Sequence, residues 1–293
     1  MDTNFIVIFS YFIVIYRIVQ LYEVLIAMSF QNQFTKTTTD ANLMETVHHG
    51  SAEYPFRYYY ENIALFDFKC IDWHWHSELE FIYIESGNVV FDIGTVHFEL
   101  NEGNGIMINS KILHRLQSSS DAIIPNFLFQ PSFIAPQDSL IYKKYINPVI
   151  SSSLEYLVFQ PDIPWQKKAL EIIKTIIAVQ ETEFNREIIV SMSVQQLWIL
   201  LLENLTFDQF ENMGAVISRT RLQLMMQYVH AHYSENITLE DIARTANISK
   251  STALHLFQNN LKLTPVKYLI NYRLKQAALL LINTEEKIAT ISN

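Results

Sequence analysis

The hydrophobic period changes along this chain, and that change limits the folds open to it. Between Phe56 and Gln130 the apolar residues fall in short β-branched and aromatic runs: Arg57–Tyr60, Ala64–Phe68, Phe81–Ile84, Val89–Ile93, Val96–Leu100, Gly105–Asn109 and Asn126–Gln130. Ser86-Gly-Asn, Ile93-Gly-Thr and Asn101-Glu-Gly-Asn-Gly separate them. Runs of this length and spacing read as strands of a sandwich or barrel. No helix-length segments alternate with them, which argues against a parallel α/β sheet. From Trp165 to Phe207 the apolar residues recur every three or four positions: Leu170, Ile173, Ile176 and Ile177, then Ile188, Ile189, Met192, Leu197, Leu200 and Leu201. That is a helical period, with a break expected between Glu181 and Arg186. The predicted class is α+β in two domains, a β-barrel with packed helices followed by an all-α region.

The 293 residues suffice for about two domains. An apolar fraction of 49% with 17% charged residues excludes disorder for most of the chain. The net charge of −9 is unevenly spread. Residues 1–214 hold 12 Lys+Arg against 25 Asp+Glu, whereas residues 215–293 hold 9 against 5, a net of +4. A basic C-terminal third behind an acidic body hints at a nucleic-acid module. The single cysteine, Cys70, rules out an internal disulfide and a cysteine-based metal site. It fits a reducing cytosol, and its apolar surroundings assign it a structural role.

Residues 5–27 form an apolar run long enough to cross a bilayer, for which about 20 residues are needed. Arg17 and Glu23 oppose that reading, since a charge at the membrane centre costs about 3 kcal/mol. No basic leader precedes the run and no small-residue cleavage site follows it, so it is a poor signal peptide. Met28 opens an ordinary polar sequence and is read as the initiator, with residues 1–27 upstream of it. A membrane anchor and a buried element are the other readings.

One polar constellation interrupts the strands: His74-Trp-His76-Ser-Glu78-Leu-Glu80, with Gly87 seven residues on. On a single strand His74, His76, Glu78 and Glu80 share one face, and His114 on a later strand can join them inside a barrel. Three imidazoles and a carboxylate are a possible Fe, Mn or Zn site. A small-molecule pocket and a purely structural role are the alternatives. Trp73 and Trp75 read as barrel packing, although an aromatic face also suits a sugar. No phosphate loop and no nucleophile–base signature occurs.

The basic third reads as short helices. Arg221–His232 places Leu222, Met225, Met226 and Val229 on one face. Thr238 with Asp241 forms a relaxed capping box for a helix over Leu239–Ala246. Asn247-Ile-Ser249 is a tight turn, with Asn tolerating a left-handed conformation. Ser249 caps the next helix, Lys250–Asn259. This is the helix-turn-helix pattern, whose second helix enters the major groove.

The histidine segment resembles the first cupin motif, with its His-x-His-x3-Glu-x6-Gly spacing intact from His74 to Gly87. The second motif is degraded, keeping Gly103, a strand and His114 but carrying Ser110 and Ile112 at its usual Pro and Gly positions. Ile237–Ala243, Asn247-Ile-Ser, Leu256-Phe257, Thr264-Pro265, Tyr268-Leu269, Tyr272-Arg-Leu274, Ala277 and Leu280-Leu281 resemble, in order and spacing, the DNA-binding region of AraC/XylS-type transcription regulators. Thr252, Ala253 and Lys262 depart from that pattern.

The resemblance implies a cytoplasmic, non-enzymatic regulator that binds double-stranded DNA and responds to a small-molecule effector, a carbohydrate among the candidates. It implies no metal and no cofactor. Lys250, Ser251, Thr252, Leu254, His255 and Gln258 become DNA-facing positions; Arg244, Lys267 and Arg273 become phosphate contacts or a solvated, ion-paired face. His74, His76, Glu80 and His114 become effector ligands. The helices after Trp165 either pack on the barrel or pair two chains into a homodimer. The expected organisation is an apolar segment at 1–28, a sensing domain at 29–207, a linker at 208–220 and a DNA-binding region at 221–293. Pro265–Ile282 is read as a helix joining two helix-turn-helix units, the second cut off at Asn293, so weak DNA binding is expected. A metal-dependent cupin enzyme and a membrane-anchored sensor are the alternative functions.

Overall fold

A computed structural model describes residues 36–40, 43–94, 96–182, 184–205, 213–261 and 263–283. The apolar run at 5–27 lies outside them, as does the expected start of the second helix-turn-helix unit after Asn283. No helix among the described residues is long and apolar enough to cross a membrane.

Strands β1 (Phe56–Asn62), β8 (Ile123–Phe129), β3 (Leu79–Tyr83), β6 (Gly105–Ile108) and β9 (Tyr156–Phe159) form one antiparallel sheet in that order. Strands β2 (Cys70–His74), β7 (His114–Gln117), β4 (Asn88–Ile93) and β5 (Val96–Asn101) form a second. Ile82, Val89, Phe91, Ile93, Ile106, Leu116 and Ile124 fill the space between the sheets. The outer face of the first sheet carries Phe56, Phe81, Phe127, Phe129 and Phe159, on which helices α2 (Pro164–Ala178) and α3 (Arg186–Asn204) pack. A further one-turn helix, α1 (Asn147–Ile150), precedes β9. Strand β3 is therefore buried on both faces. Leu79 and Phe81 point to the helices, and the alternation of the strand sends Glu80 and Ile82 into the barrel.

The C-terminal region comprises α4 (Met213–His232), α5 (Leu239–Thr245), α6 (Lys250–Leu261) and α7 (Pro265–Asn283). Local chemistry sets its joints. The Asp241 N–H donates to Thr238 Oγ1 at 3.2 Å, and the Thr238 N–H donates to the Asp241 carboxylate at 2.9 Å, completing the capping box. Asn247 turns with φ +54°, and the Thr252 N–H donates to Ser249 Oγ at 3.1 Å. Leu222, Met225, Met226, Val229, Ile242, Ala253, Phe257 and Leu269 form the core of these helices. Leu43, Trp73 and Leu113 from the β-region belong to the same cluster, so the two regions share packed apolar surface.

Three sequence expectations change. Ala64–Phe68 is not a strand but part of two 3-10 turns, Ile63–Leu65 and Asp67–Lys69, because the Asn62 side chain accepts the Ala64 N–H and turns the chain out of the sheet. The segment from His74 to Glu80 is not one strand: β2 ends at His74, β3 starts at Leu79, and the two belong to different sheets. Helix α4 begins at Met213, inside the stretch expected as linker. The break between α2 and α3 falls where expected, and the short strand β9 was not foreseen.

Gly87 sits at φ +81° in the turn after β3, where an added Cβ would lie 2.5 Å from the Asp121 carbonyl oxygen. Both the left-handed conformation and the backbone clash penalise any side chain. Gly87→Ala is expected to lower unfolding stability by about 2–4 kcal/mol, read as a shift of the urea midpoint at unchanged slope.

Candidate functional site

His74 closes β2 and His114 opens β7; they face each other in the ladder with ring centroids 4.1 Å apart. His76 follows in the connection to β3, and Glu80 enters from β3. One potential ligand atom from each of the four lies within 4.8 Å of the others, and all four residues are buried. Glu80 Oε2 is 3.3 Å from His76 Nε2 and 3.1 Å from His114 Nε2. Each imidazole is held by its other nitrogen. Nδ1 of His74 donates to the Asp72 carbonyl at 2.7 Å, that of His114 to the Ile112 carbonyl at 2.8 Å, and that of His76 to the Glu78 carbonyl at 3.2 Å. A carbonyl only accepts, so in a neutral ring the Nε2 lone pair is left pointing into the cluster. Glu78 is not part of it, as its carboxylate accepts from Gln130 Nε2 at 2.5 Å.

The electrostatics follow from burial. Burial, then the neighbouring His114, depress His74 to about 4. Burial works against ionisation of Glu80, but its contacts with His114 and His76 overcome this and hold it well below the usual carboxylate range. Burial also opposes the charge on His76, yet Glu80 raises it. Three imidazoles thus face one carboxylate, and the raised His76 places a proton between its Nε2 and Glu80. His114 Nε2 is fully buried and faces the Glu80 carboxylate. The donor set is of a kind that suits a divalent first-row transition metal. The cavity beside the cluster measures about 30 Å³, which accommodates a water or an ion and not a sugar ring. Its walls include Glu45, His49, Tyr59, Glu61 and Asn126, which sequence reasoning missed.

A β-bulge joins this cluster to the C-terminal helices. Ile71 pairs with Leu116 and His74 with His114, so three steps on β2 match two on β7. Ile71 and His74 both face inward, while Asp72 and Trp73 between them turn to the helices. Asp72 pairs with Lys275 of α7 at 2.5 Å, and Trp73 joins the helical core. Around this contact a cleft of about 1030 Å³ opens between the barrel surface and α7, lined in part by Phe68, Arg115, Gln117, Tyr272 and Lys275.

On α6, Lys250, Ser251, Thr252, His255 and Gln258 are exposed, and Leu254 is half-buried. Phe257 and Ala253 are core, with Leu256 packed against them. Lys250 reaches back to Glu240 at 3.0 Å, and Arg244 pairs with Asp241 at 3.4 Å. Arg273 departs from its expected phosphate contact. Its guanidinium donates to the carbonyls of Tyr233 at 2.6 Å and Glu235 at 2.5 Å, tying α7 to the end of α4.

Burial raises Glu61 to about 8, although Asn126 Nδ2 donates to it at 2.7 Å. A carboxyl raised on folding contributes stability below its unfolded value, near 4.5, and loses it as pH climbs towards 8. Glu61→Gln is expected to abolish that decline, gaining on the order of 3 kcal/mol over wild type at pH 8 relative to pH 5. Urea unfolding at both pH values measures it.

Residues 66–136 match the AraC-like ligand binding domain. The HTH-type transcriptional regulator YdeC of Bacillus subtilis is 32% identical over 260 residues, covering 86% of this chain and 87% of YdeC. The lactose operon transcription activator of Staphylococcus xylosus is 26% identical over 170 residues, 56% of this chain and 60% of that protein. Among solved structures, ToxT of Vibrio cholerae aligns with a TM-score of 0.33 at 13% identity, over 74% of this chain and 98% of ToxT. The chain belongs to the AraC-type transcription regulators, and it is an effector-responsive DNA-binding protein and not an enzyme.

Proposed function

We propose that the regulator receives its signal at the His74, His76, Glu80 and His114 cluster and passes it to α6 and α7 through the bulge in β2. The observation that carries this is the arrangement of three consecutive residues: His74 in the buried cluster, Trp73 in the helical core and Asp72 on Lys275. The Asp72 carbonyl itself accepts from His74 Nδ1, so a shift of the ring moves the peptide that carries the other two. The sensing domain runs to the end of α3 at Asn204, and the DNA-binding region starts with α4 at Met213. Helix α6 is the recognition helix. Lys250, Ser251 and Thr252 at its N-terminus, with His255 and Gln258 one and two turns on, face the major groove, and Leu254 flanks them. Arg244 and Lys267 supply phosphate contacts.

The protein acts in the cytoplasm as a homodimer. Helix α3 buries Val190, Val194, Leu197 and Leu201 on the sheet, while Ile188, Met192 and Ile199 stay more than half exposed on its other side. An apolar stripe of this kind marks an interaction surface, and a second copy of α3 matches it. Met192→Glu is expected to halve the mass measured by light scattering without loss of helix content; an unchanged mass ends the dimer reading.

DNA recognition is tested by fluorescence anisotropy on the DNA flanking the protein's own gene at low salt. Gln258→Ala should cost about 1–3 kcal/mol on the specific site, whereas Lys250→Ala should weaken all sequences alike and reduce the salt slope by about 1. Equal affinity for that DNA and for random duplex would sink the assignment of α6.

A further inference from the structure

We infer that the cleft between the outer face of the second sheet and α7 is a ligand site of its own, outside the barrel, and that it takes a neutral, polyhydroxylated small molecule of one or two sugar rings. The site is separate from the buried cluster and stands without the signalling role given to that cluster. Size is the first observation. The cleft measures about 1030 Å³, whereas the cavity at the cluster measures about 30 Å³. Pockets for small molecules fall at about 300–1,000 Å³, so a ring fits the cleft and not the cluster.

The walls carry the chemistry. Asp72, Asp92 and Arg115 come from the sheet, and Lys275 comes from α7. Arg115 lies 3.5 Å from Asp72 and 3.9 Å from Asp92, and Lys275 lies 2.5 Å from Asp72. Two cations against two carboxylates leave this floor without net charge, so it draws neither an anion nor a cation. What it offers is a row of donors and acceptors side by side. Gln117 and Asn271 each add an amide that does both. A hydroxyl likewise donates and accepts at once, so several hydroxyls on one rigid ring can join the row with its ion pairs intact.

Phe68 supplies the apolar platform that such a ring needs. Its side chain lines the cleft and is 52% exposed. Phe68 sits at φ +58° and Lys69 at φ +50°, so two consecutive residues with side chains adopt the left-handed conformation. That conformation is disfavoured for both, and the exposed phenyl gains nothing from burial. Strain of this kind collects at ligand clamps. The Lys275 ammonium lies 5.9 Å from the ring centroid, which places the platform beside the charged floor. The C–H face of a sugar stacks on an aromatic ring while its hydroxyls turn to the polar side. A ligand held in this way touches the barrel and α7 together, and adds to the contacts that join the two regions.

The full chain is titrated with D-glucose, D-galactose, D-xylose, sucrose and maltose, and with glucose 6-phosphate and glucosamine as charged controls. Calorimetry and tryptophan fluorescence read the binding, since Trp73 lies in the cleft wall. One equivalent per chain is expected for at least one neutral sugar, with a change in fluorescence. Phe68→Ala should weaken that binding at least about 5-fold, and Asn271→Ala at least about 2-fold. Phe68→Trp should retain it, and Glu80→Gln, in the buried cluster, should leave it unchanged. Both truncations fall at exposed positions, and circular dichroism confirms that each variant is folded. Saturable binding by none of the neutral sugars overturns the site, as does binding undiminished in folded Phe68→Ala and Asn271→Ala. A charged derivative that binds more tightly than every neutral sugar overturns the ligand class.

Discussion

The bulge at Asp72 and Trp73 lets one five-residue strand serve two cores. A regular strand sends alternate residues to opposite faces, which would place Trp73 beside Ile71 in the barrel and His74 outside. The extra residue opposite β7 resets the alternation, so that Ile71 and His74 both face in and two consecutive side chains face out. Without it the imidazole at 74 cannot meet His114, and the indole at 73 cannot reach Met225, Val229 and Phe257 in the helical core. The buried polar cluster and the contact between the two regions are consequences of the same irregularity.

The cluster is tolerable in an apolar barrel because its polar atoms are accounted for almost completely. Every Nδ1 has a carbonyl, and Glu80 is surrounded by nitrogen. A buried ionised carboxylate without such partners would take up a proton instead. Glu61 does this a short distance away: a single amide from Asn126 does not offset its desolvation, and its carboxyl stays protonated at neutral pH. Two buried glutamates on the strands either side of β8 thus differ in charge because one faces the imidazole cluster and the other faces one amide.

Where structure follows from nearest neighbours, the sequence predicts it well. The Thr238–Asp241 capping box, the left-handed Asn247 and the Ser249 cap each depend on residues within three or four positions. Membership of the histidine cluster was also legible, since spacing from His74 to Gly87 and the later His114 mark it. The route by which these residues meet was not, because a bulge is a property of two paired strands and β7 is distant in sequence. Glu45, His49 and Glu61 escaped for the same reason. Ala64–Phe68 was misread from its aromatic content, whereas the capping side chain of Asn62 decides its conformation. Arg273 was read as a phosphate contact or part of an ion-paired face, whereas its guanidinium donates to the Tyr233 and Glu235 carbonyls just past α4, a partner that spacing within α7 does not reveal.

The strength of coupling across β2 can be bounded by the contacts that carry it. The Asp72–Lys275 pair keeps roughly a quarter of each side chain in solvent, and pairs of that kind contribute no more than about 1 kcal/mol. Trp73, 8% exposed, buries an indole in the core shared with α4 to α7, and full burial of a large apolar side chain is worth about 2–3 kcal/mol. The packing of the indole therefore outweighs the ion pair as the link. Coupling between ligand sites in regulators of known thermodynamics falls at about 1–3 kcal/mol, within what repositioning this one side chain can supply. A ligand shifts such an equilibrium only by its differential affinity for the two states. A small displacement at His74 suffices because it acts on close-packed neighbours, where a gap of a fraction of an ångström forfeits a large share of contact energy.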